Sequence, residues 1–158
     1  MPLHGDKALY ERLCLEAFQS GLSWLVILRK REAFRDAFAG FDPHRVARFT
    51  DRDVRRLIAD AGIVRNRAKI EATISNAKVA CELDGGLDEL LWSFAPSGER
   101  TRPAVLSEVP AVTDESKAMA KELKRRGFRF VGPTTSYALM QATGMVDDHL
   151  AGCWRATA

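Results

Sequence analysis

The chain has 158 residues, 46% of them hydrophobic, with 24 Lys+Arg against 21 Asp+Glu and a formal net charge of +3. That suffices for one good core or two small lobes, while so small a net charge says little about a nucleic-acid partner unless the basic residues cluster. No apolar run approaches a membrane span, MPLHGDKALYE has no signal-peptide segment, and Cys14, Cys81 and Cys153 are too scattered for a disulfide framework, so a cytoplasmic monomer is expected.

Asp6 is placed as the cap of a first helix through Leu9, Leu13, Leu15 and Phe18, broken at Ser20-Gly21. A second runs from Ser23 to about Ala39, with Leu25, Ile27, Leu28, Phe34 and Phe38 inward. Gly40-Phe41-Asp42-Pro43 ends it and opens a short helix, and Thr50 with Asp53 forms a capping box for the next, which stops at Gly62. The longest helical pattern spans Asn66 to Leu83, and Leu87 to Phe94 forms a short amphipathic helix. Ala95 to Pro110, with Pro96, Pro103 and Pro110, reads as an irregular crossover, after which Thr113 caps another helix.

That helix runs into Lys121–Gly144, KELKRRGFRFVGPTTSYALMQATG. Gly127 stops one helix, Phe128 to Val131 form an apolar hairpin, and Pro133 opens a second helix in its first turn. Backbone N–H groups at Gly132, Thr134 and Thr135 then face outward at a positive helix end, ringed by Lys121, Lys124, Arg125, Arg126 and Arg129. Two readings stay open: a helix-hairpin-helix gripping a DNA backbone, or a plain connector with solvated basic residues. No period-two alternation persists, so the class is all-α, a bundle of roughly eight helices in one domain over residues 1–158.

The segment Leu15-Glu16-Ala17-Phe18-Gln19-Ser20-Gly21-Leu22-Ser23-Trp24, followed by Leu28-Arg29-Lys30-Arg31-Glu32, resembles bacterial 3-methyladenine DNA glycosylase I. The likeness recurs at Phe41-Asp42-Pro43, at Ala61 to Ile70, at Trp92-Ser93-Phe94, at Leu123 to Gly132 and at Asp148-His149, in the family's order over nearly the whole chain. The resemblance implies a helix-hairpin-helix glycosylase fold, alkylated double-stranded DNA as partner, and hydrolysis of the N-glycosidic bond of 3-methyladenine. Such a base is cationic on the sugar and neutral once released, so leaving is already easy; the enzyme must flip the nucleotide, hold the base and admit water.

Glu16 matches the family's pocket carboxylate, an acceptor suited to an exocyclic amine and to a cationic base, and Trp24 matches the aromatic lining the pocket. Gln19-Ser20-Gly21-Leu22 lies between them and could approach the gap in the duplex, with Leu22 as apolar filler. Gly132, Thr134 and Thr135 take the backbone-binding role, with Lys124 and Arg126 beside them. Arg65, Asn66, Arg67 and Lys69 form a second basic cluster, either phosphate-binding or a solvated helix start.

His149 and Cys153 form an H-x-x-x-C pair that one helical turn could bring to one ion. In the family this pair completes a structural zinc site with a Cys and a His from an N-terminal segment. Met1-Pro2-Leu3 falls past those ligands, as though roughly twenty family residues precede it, so zinc is expected to bind weakly or not at all. His4 is a possible third ligand that the spacing does not favour. Asp147, in Val146-Asp147-Asp148-His149, either activates water or caps a helix carrying His149. The expected activity is a monofunctional glycosylase, since no lysine is assignable as a Schiff-base nucleophile; the alternative is a non-catalytic module that senses methylated bases.

Overall fold

The computed structural model describes residues 1–98 and 101–153. Their α-helices are α1 (Asp6–Gln19), α2 (Trp24–Ala37), α3 (Pro43–Val46), α4 (Asp51–Ala59), α5 (Arg67–Cys81), α6 (Gly86–Trp92), α7 (Asp114–Arg125) and α8 (Pro133–Thr143). Single 3-10 turns lie at Ala39–Phe41 and Leu106–Glu108, the latter inside the segment read as irregular, and the described residues contain no strand. No described helix is long and apolar enough to cross a membrane.

The helix starts follow local chemistry. The Ser23 hydroxyl accepts from Val26 N–H at 3.4 Å, Asp42 accepts from His44 N–H at 3.0 Å, and Asn66 accepts from Lys69 N–H at 3.1 Å. Thr50 with Asp53 and Thr113 with Ser116 close reciprocal capping boxes. Each satisfies donors that a helix start leaves unpaired. Asp6 is not a cap: it is the first helical residue behind Gly5, and its carboxylate accepts from Asp88 N–H at 2.8 Å, tying α1 to α6. The fourth helix ends at Ala59 rather than Gly62, because Asp60 leaves helical geometry and its side chain takes the Gly62 N–H at 2.7 Å.

α1 is the hub, packing on α2, α5, α6 and α8. Its residues from Leu9 to Phe18 are buried except Arg12, which is half-buried, so it is enclosed nearly all round. Phe18, Phe34, Phe38 and Phe41 form an aromatic chain between α1 and α2, beginning with a 4.7 Å centroid separation between Phe18 and Phe34. The Tyr10 hydroxyl donates to Thr73 O at 2.7 Å and fastens α1 to α5. Glu11 is buried but accepts from Arg31 at 2.8 Å and Arg35 at 2.9 Å, so α2 supplies its counter-charges.

Leu25 and Leu28, expected inward, are 54% and 46% exposed. The inward stripe of α2 is Ile27, Phe34 and Ala37, and the first two turns present Leu25, Val26 and Leu28 outward beside Leu22. Their hydrophobicity misled because only one face of these turns, that of Ile27, meets the core.

α7 packs on α8 across the turn at Gly127–Gly132. Gly127 has φ +101°, which side chains rarely adopt, and Phe128 and Val131 are buried while Phe130 is exposed. Buried Asn76 of α5 clamps this turn, donating to Arg129 O at 3.1 Å and accepting from Arg129 N–H at 2.8 Å. The first residues are docked as well: Leu3 N–H donates to Thr143 O at 2.8 Å, and Trp92 Nε1–H donates to Leu3 O at 3.0 Å.

Candidate functional site

The junction of α1, α2 and α8 leaves a cleft of about 400 Å³ lined by Arg12, Glu16, Gln19, Trp24, Ala138, Gln141 and Ala142. Helical spacing explains the set. Arg12, Glu16 and Gln19 recur at four and three residues on one face of α1, as do Ala138, Gln141 and Ala142 on α8. Trp24 is the first residue of α2, so the Ser23 cap fixes where its indole enters.

Glu16 is 5% exposed, and burial pushes its carboxyl up to about 7, with Arg12 pulling the other way. Burial in turn lowers the Arg12 pKa, which the Glu16 charge opposes. The Arg12 guanidinium lies over the Trp24 ring, 5.5 Å from its centroid. An aromatic face, a poorly hydrated carboxylate and small alanine side chains on the third wall together suit a flat, positively charged guest with an amine to donate.

The turn after α1 is tied from both sides. Gln19 Nε2 donates to Leu22 O at 2.8 Å and Leu22 N–H donates to Gln19 O at 2.7 Å, while Gly21 takes φ +81°. Leu22 is 39% exposed at its tip.

The basic residues divide. Arg65 is exposed, and Arg67 is exposed but bonded to Glu71 at 3.0 Å. Lys69 does not belong to a phosphate-facing cluster: it is 8% exposed, and its ammonium donates inward to Phe18 O at 2.9 Å and Ser20 O at 2.6 Å. Its position three residues after the Asn66 cap turns it to the buried face of α5. Lys124 is exposed, whereas Arg126 is held by Glu122 at 2.7 Å, together with Arg125 at 2.6 Å. Thr134 is exposed and Gly132 and Thr135 are half-buried at the start of α8.

Asp147 and His149 do not lie on a helix. Asp147 accepts from its own segment at His149 N–H, 3.1 Å, contacts His149 Nδ1 at 2.6 Å and pairs with Arg102 at 2.9 Å, lining a different cleft with Pro96 and Met145. Asp148 instead braces a residue of the cleft wall, accepting from the Tyr137 hydroxyl and from Gln141 Nε2 at 3.0 Å. The expected helical turn between His149 and Cys153 is also absent, and among the described residues no three His, Cys, Asp or Glu side chains gather where they could hold a metal ion. His4 is engaged by Asp88 at 2.9 Å and stacked on Trp92 at 4.4 Å. The described residues therefore do not fit a four-ligand zinc site.

Sequence reasoning missed Arg12, Gln141 and Asp148. Arg12 had a signal, four residues before Glu16 on the same face; the α8 wall had none, because which helix closes the cleft is a tertiary matter.

A sequence model described as methyladenine glycosylase matches residues 1–156. The chain is 45% identical to DNA-3-methyladenine glycosylase 1 of Escherichia coli over 157 residues, covering 97% of this chain and 84% of the relative. It is 44% identical to DNA-3-methyladenine glycosylase of Haemophilus influenzae over 160 residues, covering 96% and 84%. A crystal structure of 3-methyladenine DNA glycosylase I superposes with a TM-score of 0.93 at 43% identity, covering 98% of this chain and 87% of the other. A structure of 3-methyladenine DNA glycosylase I from Staphylococcus aureus, described as the structural basis of its 3-methyladenine recognition, does so at 0.92 with 36% identity, covering 98% and 84%. With the helical fold and these likenesses in agreement along the chain, it belongs to the methyladenine glycosylase family.

Proposed function

We propose that this protein hydrolyses the N-glycosidic bond of 3-methyladenine in alkylated double-stranded DNA, with the Glu16–Trp24 cleft as the base pocket. The observation that carries this reading is a nearly buried carboxylate sharing a cleft of about 400 Å³ with an indole and no lysine. The damaged nucleotide flips out, its base stacks on Trp24, and ionised Glu16 accepts from the exocyclic amine and favours the cationic base. Stacking of this kind is worth about 1–3 kcal/mol. The glycosidic electron pair leaves with the base, which becomes neutral; water adds to the sugar carbon and its proton passes to solvent.

An amine nucleophile is needed to couple excision to strand cleavage, and no lysine among the described residues lines the cleft, which supports an abasic site in an intact strand as the product. Gly21 and Leu22 meet the gap in the duplex, while Lys124, Gly132, Thr134 and Thr135 hold its backbone, with Arg65 and Arg67 on the flank. The protein acts as a cytoplasmic monomer. Its described residues do not gather a zinc site, and metal analysis of the purified chain finding one tightly held zinc would overturn that part.

The test is incubation with alkylated DNA and chromatographic detection of the released base. Release of 3-methyladenine with the strand uncut is the expected result; tight binding with no release would instead favour a damage-sensing module.

A further inference from the structure

We infer that Lys69 is a positioning residue that sets the Gln19–Leu22 turn for insertion into the duplex. This rests on the glycosylase reading and on Leu22 as the group that enters the gap.

An ammonium taken out of water is expensive unless its donors are used. Lys69 is 8% exposed, and two of its donors go to Phe18 O at 2.9 Å and Ser20 O at 2.6 Å. Carbonyls at a helix end lack intrahelical partners and carry the negative end of the helix dipole, so a cation there is well matched. Here, however, the cation comes from another helix, 51 residues away from Phe18 in sequence. It also reaches beyond what capping requires. Ser20 lies outside α1, and its carbonyl belongs to the peptide leading into Gly21, which is held at φ +81°.

Lys69 therefore fixes the plane of the peptide at the entry of the turn. The Gln19–Leu22 pair, bonded side chain to backbone at 2.8 Å and backbone to backbone at 2.7 Å, closes the other side. Leu22 is left as the partly exposed tip of a turn held at both flanks. An apolar wedge gains from such rigidity, since a loose turn would have to be ordered each time it replaced a flipped base. Lys69 lies in the first turn of α5 and donates its own N–H to the Asn66 cap at 3.1 Å, so the turn and the exposed Arg65 and Arg67 are held by one helix start.

The experiment uses Lys69→Met and Lys69→Gln, with three readouts: affinity for a duplex carrying a stable abasic analogue, affinity for free 3-methyladenine, and thermal unfolding. Lys69→Met should weaken duplex binding about tenfold while free-base binding stays within about twofold, because Glu16 lies within α1 and Trp24 is set by the Ser23 cap rather than by Lys69. Lys69→Gln, which keeps an amide donor without a buried charge, should fall between, and it carries the test if Lys69→Met does not fold. Wild-type duplex affinity in the folded variant overturns the inference. So does an equal loss of duplex and free-base binding, which would mean general loosening. Failure of the unaltered protein to release base or bind duplex would instead sink the glycosylase reading.

Discussion

Arg12 covers the face of Trp24, with its guanidinium carbon 5.5 Å from the ring centroid, and is at the same time the positive charge that counters the desolvation of Glu16. A cationic base entering the cleft would replace both functions at once, stacking on the indole and neutralising the carboxylate. On the proposed pocket assignment, Arg12 is a stand-in for the lesion in the free protein.

The first expectation concerns that stand-in. Arg12→Ala removes the one influence that lowers the Glu16 pKa, which is already pushed up to about 7 by burial. The acidic limb of kcat/KM for base release should move to higher pH. A pH–rate profile with an unmoved limb would show that Arg12 and Glu16 are not coupled in the reaction.

Glu16→Gln should cut kcat/KM roughly 10- to 100-fold, the worth of a charge-assisted hydrogen bond. It should also stabilise the protein at neutral pH. A carboxyl raised in the folded state from its usual 4.5 to about 7 contributes stability below pH 4.5 that is lost as pH rises through 7. At about 1.4 kcal/mol per tenfold change in proton affinity, the penalty is on the order of 3 kcal/mol, and Gln avoids it. Urea unfolding of both proteins at pH 4 and pH 8 checks this: the curves should converge in acid and separate at pH 8.

Lys124→Ala should weaken duplex binding alike for damaged and undamaged DNA and reduce the salt slope by about one. Arg126→Ala should do less, because Arg126 is engaged by Glu122 at 2.7 Å. Salt titrations of binding anisotropy separate the two, and equal effects would contradict the distinction.

Asp147→Asn should leave base release within about twofold, since Asp147 faces Arg102 and His149 rather than the cleft. Asp148→Ala should cost about 1.5–3 kcal/mol of stability by removing the charged acceptor that Tyr137 and Gln141 share, and should also release Gln141 at the cleft wall. A water-activating role for Asp147 would produce the reverse order in a base-release assay.

By itself the sequence determined most helix starts at which a side chain serves its own backbone, though not at Asp6. Ser23, Asp42, Thr50, Asn66 and Thr113 cap as their types dictate, and the turn between α7 and α8 was readable from Gly127 and Pro133 because such signals are local. The family resemblance, rather than residue type or spacing, marked Glu16 and Trp24 as candidates for one pocket. What only the tertiary structure decided is the use made of charge. Lys69 and Arg65 are both basic residues at one helix start, yet one is buried against the end of α1 and the other is exposed. Leu25 and Leu28 are as apolar as Ile27, yet only Ile27 meets the core. Burial is set by which distant helix arrives on each face, and it is burial that gives Glu16 its raised pKa and the cleft its α8 wall.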